Sequence, residues 1–264
     1  MEKVILFGLV AAWLFPLLWV VLTSFKTRIQ VAERIPAFFF SPTVQNYVNL
    51  FVEFEFGRYL VSSTIIGLGT TLGTIVLGSM AAYPLSRLRF KASRFLGLWI
   101  LSLYMMPAVA VAIPFYLFFF KLRLLDTHLA VTLAHCSFLV PFGTWLLRGF
   151  LADLPRELDE AAALDGCGHP GILIRVLLPN IRSGLAVTAI FVFVFSWNEF
   201  LFALMLTQRA AQTVPLALAS MVLPQATRWG ELAAGSVVTL VPLFLAVFLL
   251  QRHIVRGMTL GALR

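Results

Sequence analysis

The most constraining feature of this chain is a series of six long apolar segments, which polar stretches separate. They lie at residues 4–23, 60–83, 96–120, 128–147, 184–206 and 233–251. One helical crossing of a bilayer needs about 20 mostly apolar residues. Each segment is close to that length or longer, and only 12% of all residues are charged. The sequence therefore predicts an all-α, polytopic membrane protein, a single domain over residues 1–264 with six transmembrane helices.

Basic residues indicate how these segments are oriented. Arg87, Arg89, Lys91 and Arg94 crowd the loop after the second segment, and no acidic residue lies among them. Because Lys and Arg favour cytoplasmic loops, this loop and both termini are predicted on the cytoplasmic side. That orientation places 12 of the 20 Lys and Arg inside. The first segment is too long for a secretory signal and lacks a small-residue cleavage site, so a retained span is expected.

The net charge of +8 does not indicate nucleic-acid binding, because the basic residues flank apolar segments and form no stripe. Cys136 and Cys167 are too few and too differently placed for a disulfide framework. The spacing of Asp165, Cys167 and His169 matches no known metal-ligand pattern. The sequence therefore predicts no catalytic residue and no metal site.

One polar segment, residues 148–183, is too polar for lipid and too patterned for a slack loop. Its first half predicts a short helix over residues 153–166, with Asp153 as the N-cap and Pro155 in an early position. Gly166 is expected to end this helix, and a second short helix is expected to open at His169.

The predicted helix has a small, lightly apolar face at spacings of three and four residues. This face contains Leu154, Leu158, Ala161, Ala162 and Asp165. A helix this short is marginal alone and needs outside contacts. The composition leaves two alternatives open: the helix rests on its own membrane domain, or it fits a groove in a partner.

The same segment resembles a family signature: Glu-Ala-Ala, three residues, Gly, nine residues and then Ile-x-Leu-Pro. Here it reads Glu160-Ala161-Ala162, Gly166 and Val176-Leu177-Leu178-Pro179, with Val for Ile and an unusual Cys167-Gly168 pair. Further matching stretches are Asn46-Tyr47, Ala81-Ala82-Tyr83, residues 124–127, 145–150 and 197–201, and the tail 251–262. The chain thus resembles permeases of binding-protein-dependent ABC importers, specifically the smaller permease of the maltose-type, carbohydrate-uptake branch.

This resemblance implies a type I ABC importer permease fold in a bacterial or archaeal inner membrane. It implies four partners: a second permease, two ATPase subunits and an extracytoplasmic solute-binding protein for a sugar or polyol. The chain itself would hold no cofactor, since ATP and Mg would bind the ATPases. The coupling helix to those ATPases would use Leu158, Glu160, Ala161, Ala162, Asp165 and Gly166. An alternative is a secondary transporter without an ATPase, although no internal repeat supports it.

Trp197, Asn198 and Glu199 form a polar interruption of the fifth apolar segment. An ionisable group there requires a partner or a water-filled cavity. Two roles stay open: hydrogen bonding between helices or subunits, and contact with a passing polyhydroxylated substrate. In the second segment, Gly69 and Gly73 lie four residues apart and predict a close helix–helix approach, within this subunit or against a second permease. The basic tail, residues 251–264, is expected on the membrane surface or at the ATPase.

Overall fold

The computed structural model describes residues 2–33, 38–88, 90–222 and 227–261, with no description of the side chains at 2, 4 and 249–261. The described residues are helical and contain no strand. The helices are α1 (Glu2–Ser24), α2 (Arg28–Ala32), α3 (Gln45–Val52), α4 (Phe56–Arg87), α5 (Ser93–Tyr104), α6 (Ala108–Lys121), α7 (His128–Ala152), α8 (Glu157–Leu164), α9 (His169–Gly171), α10 (Leu178–Asn180), α11 (Arg182–Asn198), α12 (Leu201–Leu206), α13 (Val214–Ser220) and α14 (Trp229–Gly261).

Four of these helices are long and apolar enough to cross a membrane, namely α1, α4, α7 and the part of α14 from Trp229 to Phe248. Two pairs of helices are bent at a short break, namely α5 with α6, and His169–Asn180 with α11. Counting each pair as one span gives up to six spans. The all-helical, multi-pass prediction is therefore confirmed. The predicted segments 4–23, 60–83, 128–147 and 233–251 each lie within one helix.

The third and fifth predicted segments are not continuous helices. Residues 96–120 divide into α5 and α6, whose axes differ by 85° at the break. Pro107 is the N-cap of α6, and a proline disfavours helical backbone at the residue before it. Residues 184–206 divide into α11 and α12, because the backbone is extended at Glu199 (φ −69°, ψ 133°). Hydropathy reports how apolar a segment is and does not register such breaks.

Two compact units make up the chain. One comprises Met1–Ser62 with Gln212–Phe244, and the other comprises Ser63–Ala211 with Leu245–Arg264. In the first unit, Glu231 is fully buried and accepts hydrogen bonds from Arg28 at 2.8 Å and Asn49 at 3.2 Å. Both bonds go to Oε1 and pair the buried charge with Arg28, whereas Oε2 is buried without a hydrogen-bond partner among the described residues. The single-domain description of residues 1–264 stays a prediction.

Within the second unit, α4 and α7 pack closely along two glycines. A Cβ atom at Gly69 would lie 3.2 Å from Thr132, and one at Gly73 would lie 3.1 Å from the Cys136 sulfur. Both distances are tighter than ordinary van der Waals contact, so larger residues would push the helices apart. The prediction that these glycines allow close approach is confirmed, and the approaching helix belongs to the same subunit.

The polar segment 148–183 forms two short helices, as expected, but its first helix starts later than predicted. Asp153 does not cap it: α7 continues to Ala152, and the Asp153 amide donates to Gly149 as the C-cap of α7. The N-cap of α8 is Arg156, without a side-chain hydrogen bond. The second helix opens at His169 and contains a π-helical stretch, Ile172–Leu177, between α9 and α10.

Arg89 of the basic loop lies outside the described residues. In the tail, the backbone of α14 stays helical to Gly261, while the side chains of residues 251–261 and the whole of residues 262–264 lie outside the description.

Candidate functional site

The clearest candidate for a partner contact is the exposed face of α8. Glu157, Glu160, Ala161 and Leu164 are all exposed, at spacings of three and four residues that place them on one side of the helix. Leu164 is 90% exposed. Leu164 adds an apolar side chain to a face that otherwise carries carboxylates, and this combination makes the face a candidate contact surface. The sequence interpretation omitted Leu164, whose exposure depends on how α8 packs.

The opposite face of α8 is anchored in its own subunit. Ala162 is 6% exposed and belongs to a buried apolar cluster. That cluster combines the end of α4, the end of α7 and the second short helix: Ala82, Tyr83, Leu147, Leu151, Ala162, Ile172, Leu173, Leu177 and Ile181. The structure therefore separates the predicted coupling residues into two groups. Ala162 and the half-buried Leu158 face inward, while Glu160, Ala161, Asp165 and Gly166 are exposed.

Two polar contacts strengthen this anchor. Arg87 Nε at the end of α4 lies 3.3 Å from Asp159 Oδ2 of α8, and their side chains are 4% and 20% exposed. The hydroxyl of Tyr83 lies 3.0 Å from Nδ1 of His169. Because a buried charge needs a partner, Arg87 fixes the position of Asp159 and thereby that of α8. The ion pair therefore connects α8 to the end of α4.

Gly166 ends α8 as the sequence predicted. Its φ of +80° lies in the left-handed region, where a side chain costs about 1–2 kcal/mol. No atom lies within 4 Å of where its Cβ would be. The requirement for glycine here is thus one of backbone conformation, as at many helix C-termini.

A second polar site lies at the break between α11 and α12. The Glu199 carboxylate accepts hydrogen bonds from the amides of Phe202 (3.0 and 3.1 Å) and Ala203 (3.4 Å) at the start of α12. It therefore satisfies amides that a helix N-terminus leaves without partners. Glu199 therefore has the partners that an ionisable group in a span requires: the backbone amides at the start of α12 and a histidine.

That histidine is His135 of α7, which the sequence interpretation had assigned to no site. Its side chain is fully buried; Nε2 lies 3.1 Å from Glu199 Oε2, and Nδ1 lies 2.7 Å from the Ser196 hydroxyl. An ionised carboxylate only accepts hydrogen bonds, so Nε2 is the donor in this pair when Glu199 is charged. His135 thus joins both sides of the break to α7. No spacing rule relates residues 64 positions apart, so no sequence pattern indicated this contact.

The three candidate pathway residues have different surroundings. Trp197 is 1% exposed and packs against Phe193, with ring centroids 5.4 Å apart. Glu199 is occupied by the contacts described above. Asn198 alone is exposed, and its Nδ2 donates to the carbonyl of Val194 at 2.8 Å.

Asp126, between α6 and α7, binds a whole turn of backbone. Its Oδ1 accepts hydrogen bonds from the amides of Gln208 (3.0 Å), Arg209 (3.0 Å), Ala210 (2.9 Å) and Ala211 (3.2 Å). Burial raises the pKa of Asp126, but these amides outweigh that effect and hold the pKa below its usual value. The Asp126 carboxylate thus holds the loop after α12 against the residues that precede α7. In the sequence, Asp126 stood out only as part of residues 124–127, one of the stretches that resemble the permease family.

Comparison with known proteins gives this geometry a family. Residues 74–260 match the model of the family "Binding-protein-dependent transport system inner membrane component". The trehalose/maltose transport system permease protein MalG of Thermococcus litoralis is 35% identical over 264 residues, covering 95% of this chain and 91% of that protein. The trehalose transport system permease protein SugB of Mycobacterium tuberculosis is 34% identical, covering 95% and 92%.

A solved structure shares the fold. The chain superposes with a TM-score of 0.79, at 19% identity, on a subunit of a bacterial ABC transporter involved in the import of alginate, covering 95% of this chain and 94% of that one. The family match and these relatives define the class of the chain, a multi-pass transport permease. The chain belongs to the binding-protein-dependent transport system inner membrane component family, whose members are permeases of ABC importers. The resemblance seen in the sequence is confirmed, and nothing supports the secondary-transporter alternative.

Proposed function

We propose that this chain forms, with a second permease, the membrane pathway for a saccharide that a solute-binding protein delivers. The family membership supports import, and the names of the relatives, MalG and SugB, support trehalose or maltose as the first substrates to test. In this proposal both termini are cytoplasmic, and the chain has no catalytic residue of its own. ATP and Mg bind two partner ATPase subunits.

The observation that carries the proposal is the division of α8 into two faces. Its inner face is fixed to α4 and α7 by Ala162 and the Arg87–Asp159 pair. Its outer face presents Leu164, 90% exposed, with Glu160 and Ala161. A helix that is both anchored and uncovered transmits a push from a partner to the membrane helices. When the ATPases close on ATP, α8 would shift and move α4 and α7 between inward-facing and outward-facing states.

The second permease is supported by α1. None of its most apolar window is buried in this chain, and Trp13 is 83% exposed. Residues 5–18 are exposed throughout, among the residues that the structure describes, so this part of the span is available for lipid and for another subunit. In the proposed complex α1 contacts the second permease.

Association with the ATPase tests the docking role of α8. Leu164→Asp introduces a charge into the proposed apolar contact, whereas Leu164→Met keeps an apolar side chain of similar volume. In affinity purification of the tagged permease, we expect the Asp variant to lose the ATPase subunits and the Met variant to retain them. Both variants should still enter the membrane with the second permease. Full ATPase recovery with Leu164→Asp would falsify the docking assignment.

A further inference from the structure

A buried lysine follows the end of α1 in the first unit. Lys26 is 2% exposed, and its ammonium lies 4.1 Å from the centroid of the Trp19 ring and 5.2 Å from that of Phe40. Ring faces attract a cation but accept only weak hydrogen bonds from its three N–H groups. Among the residues that the structure describes, no carboxylate lies within ion-pair distance of this ammonium. The buried charge therefore needs an oxygen acceptor that these residues do not supply.

Lys26 lines a cavity of about 240 Å³. A water molecule occupies about 30 Å³ in the liquid, so the cavity admits a group of several heavy atoms. Further polar and aromatic side chains line it: Trp19, Thr23, Gln30, Glu33 and Trp229. Glu33 is exposed, unlike Lys26. The cavity therefore combines a buried cation and an exposed anion with two indole rings.

The cavity lies where two candidate spans of the same unit have their ends. α1 ends at Ser24, two residues before Lys26, and Trp229 is the first residue of α14. Tryptophan is enriched at such membrane–water boundaries. Phe38 packs edge-on against Trp19, with ring centroids 5.5 Å apart, and is itself 57% exposed. Exposed rings at the end of a span are typical of a surface that contacts lipid headgroups.

Charge complementarity favours a lipid headgroup over an acidic side chain of another subunit. A carboxylate placed at Lys26 would also approach Glu33, and like charges repel. A headgroup that joins a phosphate to an amine supplies an anion for Lys26 and a cation for Glu33. One turn earlier in α1, Phe15 stacks on Trp19 at 6.3 Å and is 54% exposed. The acyl chains of a lipid therefore have an apolar surface directly beside the cavity.

We propose that this cavity binds the headgroup of a zwitterionic phospholipid, with the phosphate on Lys26 and the amine towards Glu33. Phosphatidylethanolamine has this chemistry. Its phosphate oxygens accept the hydrogen bonds that the ring faces cannot, and its acyl chains run along α1. Because residues 5–18 of α1 are exposed throughout, the helix has room for both this lipid and the second permease.

The test measures lipid binding to the full-length chain, purified in detergent with its accompanying subunits. Native mass spectrometry gives the Kd for phosphatidylethanolamine, for phosphatidylglycerol, which lacks the amine, and for diacylglycerol, which also lacks the phosphate. Lys26→Met removes the charge from a side chain of similar length, and Lys26→Arg keeps the charge. Lys121→Met removes an exposed lysine from the last turn of α6, outside the cavity, and is the matched control.

For Lys26→Met we expect the Kd for phosphatidylethanolamine to rise about tenfold or more, because a charge-assisted hydrogen bond is lost. Lys26→Arg and Lys121→Met should stay within about threefold of the unsubstituted protein. Diacylglycerol should bind the unsubstituted protein about tenfold more weakly than phosphatidylethanolamine. Equal Kd values for Lys26→Met and Lys121→Met, or for the two lipids, would overturn the proposal.

A second variant tests the site even where Lys26→Met fails to assemble. Because Glu33 is exposed, Glu33→Gln should leave folding unchanged while lowering the preference for phosphatidylethanolamine over phosphatidylglycerol about threefold. An unchanged preference would overturn the zwitterionic headgroup.

Crosslinking identifies what occupies the cavity. Trp229 lines it and is 58% exposed, so a photoreactive benzoylphenylalanine in its place should label phosphatidylethanolamine in membranes that contain this lipid. Labelling of the second permease alone would show that a subunit contact covers Lys26, and would refute the lipid site.

Discussion

Removal of the Asp159 carboxylate should destabilise the unit that contains α8. Arg87 is 4% exposed and lies 3.3 Å from this carboxylate, so Asp159→Ala leaves a buried guanidinium without its counter-charge. Breaking a fully buried ion pair costs about 3–5 kcal/mol. Because Asp159 is 20% exposed, water offsets part of that, and we expect a loss of about 2–3 kcal/mol.

The matched control is Glu157→Ala, which removes an acid from the first turn of the same helix. Glu157 is exposed, so its loss should cost less than about 1 kcal/mol. The free energy of unfolding is measured by SDS titration in mixed micelles, and hydrogen exchange of the α8 amides shows whether the loss is local. In the double variant Arg87→Met with Asp159→Ala no charge is orphaned, so stability should partly return. Equal losses for Asp159→Ala and Glu157→Ala, or no recovery in the double variant, would refute the anchoring role of the pair.

Three further predictions concern single positions. Gly166→Val should leave membrane insertion intact but lower the amount of sugar transported per ATP hydrolysed, because valine is strained at the Gly166 φ of +80°. The control Gly168→Val should leave this ratio unchanged, since Gly168 has a φ of −73°. Equal ratios for the two variants in proteoliposomes would contradict the prediction. Asp126→Asn should lower Tm at pH 7. Because the pKa of Asp126 is depressed in the folded protein, the Tm difference from the unsubstituted protein should vanish as the pH falls through that pKa. A Tm difference that does not change between pH 7 and pH 3 would exclude this role of the carboxylate. Glu199→Ala should reduce transport or complex stability, as should His135→Leu, and unchanged uptake and subunit recovery in both would remove any role for the pair.

The sequence predicted the helical spans well because lipid imposes a length and an apolarity that can be read locally. The end of α8 was predicted for a similar reason, since a left-handed residue favours glycine and Gly166 supplies one. The start of α8 was misplaced, because Asp153 and Pro155 are compatible with the end of one helix as well as the start of another. Only packing against Leu151 and its neighbours decides between these.

The helix breaks and the contacts around them could not be predicted in the same way. Glu199 interrupts the fifth span because its carboxylate binds the amides of Phe202 and Ala203 while His135 holds it from another helix. Such an arrangement depends on residues far apart in sequence. A single chain gives no record of which distant positions meet, and the same holds for Asp126 and the turn at residues 208–211.

The anchoring of α8 has a consequence for genetics. Leu147, Leu151 and Leu177 are fully buried beneath α8 and belong to its cluster. Substitutions there would tilt α8 without touching its exposed face. In a screen for loss of ATPase binding, such alleles would be indistinguishable from true interface alleles. Compensating changes in the ATPase should rescue Leu164 variants by direct complementarity, whereas variants of the buried leucines should be rescued by second-site changes within this chain.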